Sequence, residues 1–164
     1  MLLKVQAPID SNVCSILEWV QENIVNRKSA ADVLVGFAHD DTGRGLAYAA
    51  IADGNGRGVV RIPFSATPLA RYHGAEFGYA ALAALGAELR KRGFTRIRVR
   101  LGDEHVVRDL ASPALVPPAL GMPYVRARCA LNGFAAARVE RADPREIADL
   151  EGRARAELQL RTAA

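Results

Sequence analysis

Long apolar runs are missing from this sequence. Nowhere do the roughly 18 consecutive apolar residues of a membrane span occur, so no membrane partner is expected. Cysteine is scarce, with two in 164 residues, and Cys14 and Cys129 match no zinc-ligand spacing. That argues against a disulfide-stapled scaffold and against a cysteine-rich zinc site; both thiols are expected to be buried in a reducing compartment. The opening Met-Leu-Leu-Lys soon reaches Pro8 and Asp10, which is unlike a secretory leader, so a cytoplasmic location is expected. Lysine is also nearly absent, since arginine supplies 19 of the 22 basic residues. Guanidinium groups clamp phosphates bidentately, which suits a nucleic-acid partner. A GC-rich coding sequence produces the same bias, so the net charge of +4 decides nothing alone.

The length suits one domain of about 100–200 residues. A chain this long can bury roughly two-thirds of its extended surface without a staple. Residues Ser11 to Lys28 read as an amphipathic helix, with Ile16, Val20 and Ile24 at helical spacing and Trp19 on the stripe. Residues 1–31 are therefore expected to form a helical extension, and residues 32–164 the main domain.

In that domain the pattern predicts strands over Val33–His39, Leu46–Ala52 and Val59–Phe64. Asp53-Gly54-Asn55-Gly56 is a hairpin turn, so the three strands form an antiparallel meander. A long helix follows from Tyr72 to Arg92, with Leu82, Leu85 and Leu89 on one stripe and Gly93 as the stop. Arg96 to Leu101 alternates as a strand, and Glu104 to Leu110 is a short helix. After a proline-punctuated loop come a helix at Tyr124–Leu131, a strand at Ala136–Arg141 and a last helix at Pro144–Leu160. Asp143 before Pro144 is a helix-start signature. The fold class is α/β: a mixed five-stranded sheet, the meander plus two further strands, flanked by helices.

Acidic residues fall at telling places on these elements. Asp40 ends the first strand, and Glu76 lies early in the long helix. Asp103 follows the alternating strand and shares the parity of Ile97, Val99 and Leu101. Asp149 lies in the last helix. Singly, each has an ordinary explanation as a turn residue, dipole partner, cap or solvated face.

Together with the element order, these pieces resemble the ribonuclease H-like family, over about Asp32 to Leu158. Asp40-Asp41-Thr42 is similar to that family's Asp-Gly-Ser, and Ala75-Glu76-Phe77 to its Ala-Glu-Leu. Asp103-Glu104-His105-Val106-Val107 is similar to its third acidic segment, and Ala148-Asp149-Leu150 to its closing Ala-Asp-x-Leu. The resemblance implies a metal-dependent endonuclease that cuts the RNA strand of RNA–DNA hybrids. Two Mg2+ or Mn2+ ions would activate water and stabilise the leaving oxygen, held by hard carboxylate ligands. It further implies that Asp40 bridges the ions, Glu76 and Asp103 hold one, and Asp149 holds the other. Arg71, Tyr72 and His73, beside Glu76, are the candidate nucleic-acid contacts.

Two departures motivate a second reading. Arg71-Tyr72-His73-Gly74 stands where the family carries Thr-Asn-Asn-Arg, and Asp41 replaces a glycine, so His39, Asp40 or Asp41 can fill the first acid position. On that reading the fold persists as a nucleic-acid-binding or scaffold module with a decayed metal site. A third reading, an N-acetyltransferase, rests on the helix, Gly93-Phe94 and strand of the run Gly74–Leu101. The glycine-rich pyrophosphate turn expected before that helix is missing. Oligomeric state is not legible.

Overall fold

The structure is a computed structural model that describes residues 30–72 and 74–162. Strand β1 (Ala30–His39) is followed by β2 (Arg44–Asp53) and β3 (Gly56–Ser65). Helix α1 (Ala75–Lys91) leads to β4 (Arg96–Leu101) and α2 (Glu104–Ala111). Two short 3-10 turns, Pro113–Leu115 and Pro118–Leu120, precede α3 (Gly121–Asn132), β5 (Ala136–Arg141) and α4 (Pro144–Thr162).

The five strands form one sheet in the order β3-β2-β1-β4-β5. The meander is antiparallel, and β1–β4 and β4–β5 are parallel. Parallel neighbours need a crossover, and α1 supplies it between β3 and β4. Pro63 lies on β3 at the sheet edge, where a missing backbone donor is tolerated. The expected α/β class, meander and two further strands are all present.

Alternation on the central strands decides which face each helix covers. Val33 and Val35 of β1, with Ile97, Val99 and Leu101 of β4, pack against Tyr79, Leu82, Leu85 and Leu89 in one core cluster. The opposite face receives α4 beside β1 and β2. Its closest approach is at Gly36, where an added Cβ would stand 2.6 Å from the Glu151 nitrogen and 2.7 Å from the Leu150 Cβ. Arg61 to Glu157 (2.7 Å) and Arg100 to Glu146 (3.0 Å) tie α4 to the sheet.

Several details differ from the sequence reading. Helix α1 starts at Ala75 rather than Tyr72, because Gly74 is left-handed at φ 85° and breaks the helical path. Strand β1 begins at Ala30, within the expected extension; the rest of that extension, including its helix and Cys14, lies outside the described residues. Cys129 is exposed, not buried, because Ala127, Ala130 and Leu131 form the inner face of α3. Among the described residues, no helix is long and apolar enough to cross a membrane.

Candidate functional site

The sheet end where β1 and β4 finish is the place to look for convergent chemistry. Val35 pairs with Leu101, so carrying the parallel register two residues further sets Phe37 level with Asp103. Phe37 has the parity of Val33 and Val35, packs against the core cluster, and meets Phe64 edge-on at 6.0 Å. By that extension of the register, the β1 residue level with Asp103 is aromatic. Asp40 comes three residues later, about 10 Å further along the chain direction at ~3.3 Å per residue.

Asp40 is occupied by its own turn. One carboxylate oxygen accepts from the Thr42 N–H (2.9 Å), the Thr42 hydroxyl (2.6 Å) and the Arg44 N–H (3.0 Å). The other accepts from Arg44 Nε at 2.9 Å. These bonds, the Thr42 hydroxyl first, hold its pKa down to about 2. The neighbouring His39 stacks flat on Phe77, with ring centroids 3.7 Å apart.

Asp103 has the orientation that its parity predicts. It caps α2 by accepting the Val106 N–H at 3.1 Å. Its Oδ2 would lie 2.6 Å from a Cβ at Gly78, so the carboxyl packs directly on the α1 backbone there. Burial pushes its pKa up. Position 78, not 76, is therefore the α1 position that meets Asp103. Glu76 precedes Gly78 by two residues, about 200° round the helix.

Glu76 faces elsewhere. It is only 2% exposed, and its Oε1 accepts the Leu69 N–H at 2.8 Å. Its Oε2 is buried with no hydrogen-bond partner among the described residues. It lines a separate cavity with Phe64, Leu69 and Met122.

Asp149 lies on the solvent side of α4, 72% exposed, and pairs with Arg153 at 3.0 Å. Ile147, Leu150 and Ala154 form the buried stripe of that helix. Ile147 is the residue packed closest to Gly102, whose added Cβ would stand 2.3 Å from the Ile147 Cδ1. Glu151, next to the same stripe, is the acid of α4 nearest the β4 end: its Oε1 would be 3.7 Å from that Cβ. Burial also pushes the Glu151 pKa up. The stripe spacing of Ile147, Leu150 and Ala154 is the sequence signal that singles out 151 over 149.

The four acids expected to converge are thus separated, one in a turn, one against another cavity, one capping a helix and one in solvent. Among the described residues, no three histidine, cysteine or acidic side chains lie close enough to share a metal ion. The donor set does not fit two magnesium or manganese ions. Of the candidate nucleic-acid contacts, Arg71 is exposed, Tyr72 packs against the core, and His73 lies outside the described residues. A further acid went unremarked in the sequence: Asp109 is 1% exposed and accepts the Tyr79 hydroxyl (2.7 Å) and the Arg108 guanidinium (3.0 Å).

No protein-family model matches the chain, and no curated protein does. Solved structures do. RNase H1 from the halophilic archaeon Halobacterium salinarum NRC-1 is 22% identical with a TM-score of 0.58, over 77% of this chain and 92% of that one. The N-terminal RNase H domain of rv2228c from Mycobacterium tuberculosis is 16% identical with a TM-score of 0.64, over 83% of this chain and 99% of that one. LC11-RNase H1, solved in complex with RNA/DNA hybrid, is 13% identical with a TM-score of 0.55, over 74% of this chain and 91% of that one. The chain has the ribonuclease H-like fold. The run Gly74–Leu101 is the α1–β4 crossover of that fold, which removes the architectural ground for an acetyltransferase.

Proposed function

We propose that this chain is a ribonuclease H-like module that binds nucleic acid without two-metal hydrolysis. The observation that carries this reading is Phe37, the aromatic side chain that the β1–β4 register, carried two residues past its last pair Val35–Leu101, sets level with Asp103. Two-metal hydrolysis needs oxygen ligands from several elements around one point. Here Asp103 packs on Gly78 beside Val106, and Gly102 meets Ile147 with Glu151 as a further acid nearby.

Nucleic acid as the partner is supported by the similar LC11-RNase H1, which was solved with an RNA/DNA hybrid. Surface chemistry agrees with it. Arg71, Arg96, Arg126 and Arg138 are exposed, and none forms an ion pair among the described residues. Exposed guanidinium groups suit phosphate contacts, whose strength falls as salt rises.

The test uses a labelled RNA–DNA hybrid with the full chain in magnesium and then manganese. We expect salt-sensitive binding by fluorescence anisotropy and an intact RNA strand at high protein concentration. Cleavage that disappears in Asp103→Asn would contradict the reading and restore hydrolysis. Absence of hybrid binding at low salt would contradict the choice of partner.

A further inference from the structure

Glu76, which the metal chemistry does not use, sits in an arrangement that suits a different ligand. A cavity of about 450 Å³ opens between β3, the loop after it, α1 and α3. Phe64, Leu69, Glu76, Ala83, Met122 and Arg126 are among its lining residues. That volume lies within the ~300–1,000 Å³ typical of small-molecule sites. The alanines of α1 keep its wall low, and Met122, 64% exposed, offers an adaptable apolar contact.

Two charged groups mark this space, whose other polar side chains are Ser65 and Thr67. Glu76 is 2% exposed, and one of its carboxyl oxygens has no partner among the described residues. A buried acceptor without a donor is costly, and a carboxylate that lines a cavity has lone pairs for more than one donor. Arg126 is exposed and lines the same cavity from α3. It suits an anionic group that remains near water. A ligand matching both ends carries an N–H donor on a flat apolar body and an anion at the other end.

We propose that this cavity receives an unpaired nucleotide whose base bears an exocyclic amine, with the base amine donating to Glu76 and the phosphate meeting Arg126. The inference rests on the nucleic-acid reading above and names the part of the ligand that this cavity takes. At ring position 4 cytosine presents an amino donor where uracil presents a carbonyl, so a carboxylate placed there accepts from cytosine, and uracil donates only from the adjacent N3–H. Unstacked bases are commonly read through such edge contacts in apolar pockets.

Calorimetric titration of the full chain with 5′-CMP and 5′-UMP tests the assignment. CMP should bind about tenfold more tightly than UMP, the scale of one hydrogen bond to a charged acceptor. Glu76→Gln should bring the two affinities within about twofold, because an amide can also donate to the uracil carbonyl. Ala83→Leu, which fills the cavity and leaves Glu76 in place, should abolish binding of both while the melting temperature holds. Equal affinities in the parent chain, no binding of either nucleotide, or a CMP preference that survives Glu76→Gln would overturn it. Anisotropy with a blunt hybrid duplex separates the two readings. Hybrid binding without CMP preference sinks the cavity assignment alone, whereas CMP preference without hybrid binding sinks the duplex partner alone.

Discussion

Asp103 shows how one side chain carries both a legible and an illegible property. Its parity with Ile97, Val99 and Leu101 gives the face toward which it projects, and the structure agrees. What it meets there, the bare backbone at Gly78, depends on how α1 is rotated, which periodicity does not specify. Because burial raises its pKa, the folded state holds this proton more tightly than the unfolded chain. Stability contributed by the protonated form is present below the unfolded value and lost as pH rises through the folded one. Asp103→Asn keeps a capping oxygen and should lose less stability than the parent over that rise, measured by urea denaturation across pH. Asp103→Ala removes the cap and should cost about 1 kcal/mol at neutral pH. Asp40 has the opposite sign. Its pKa falls from 3.8 to about 2, so its contribution is present above the first value and disappears as pH falls through the second. The stability gap between the parent and Asp40→Ala should close over that window. A third residue, Tyr79, belongs to no motif in the sequence and lies one turn before Leu82 of the apolar stripe. Its hydroxyl donates to the buried Asp109, so Tyr79→Phe leaves that acceptor short of a partner. The expected loss is about 1–3 kcal/mol in equilibrium unfolding.

Whole elements were more legible than single contacts, because hydrophobic period and turn chemistry act locally. The meander follows from three alternating runs around Asp40–Gly43 and Asp53–Gly56. Helix ends were less clear. Tyr72 and His73 extend the apparent helical pattern, but Gly74 takes a left-handed conformation and sets the start at Ala75. At α3, Pro123 reads as a breaker, yet the helix begins at Gly121 because proline is tolerated in a first turn. The pairing of α4 with β1 shows what local pattern misses. Gly36 reads as a weak point in a strand, whereas its missing side chain lets the α4 backbone approach. Gly36→Ala should therefore destabilise the fold by about 1–3 kcal/mol through overpacking, despite its better strand propensity. A thermal melt gives the sign directly.

At the scale of the molecule, the fold and the chemistry part company. Element order taken with the acidic segments points to the ribonuclease H-like architecture, and the sheet order β3-β2-β1-β4-β5 bears that architecture out. Convergence of acids depends on register between β1 and β4 and on the rotation of α1 and α4, which are long-range properties. A slide of three residues separates Asp40 from the position of Phe37, and two residues on α1 separate Glu76 from Gly78. On α4, Asp149 sits one residue from Leu150 of the buried stripe and ends in solvent. Each offset is small in sequence and decisive in space. Titration calorimetry of the full chain with manganese tests this most directly, because convergent carboxylates would bind the ion saturably whether or not substrate is present. We predict no saturable heat that distinguishes the parent from Asp103→Asn. Saturable uptake of two ions per chain, lost in Asp103→Asn, would contradict the account.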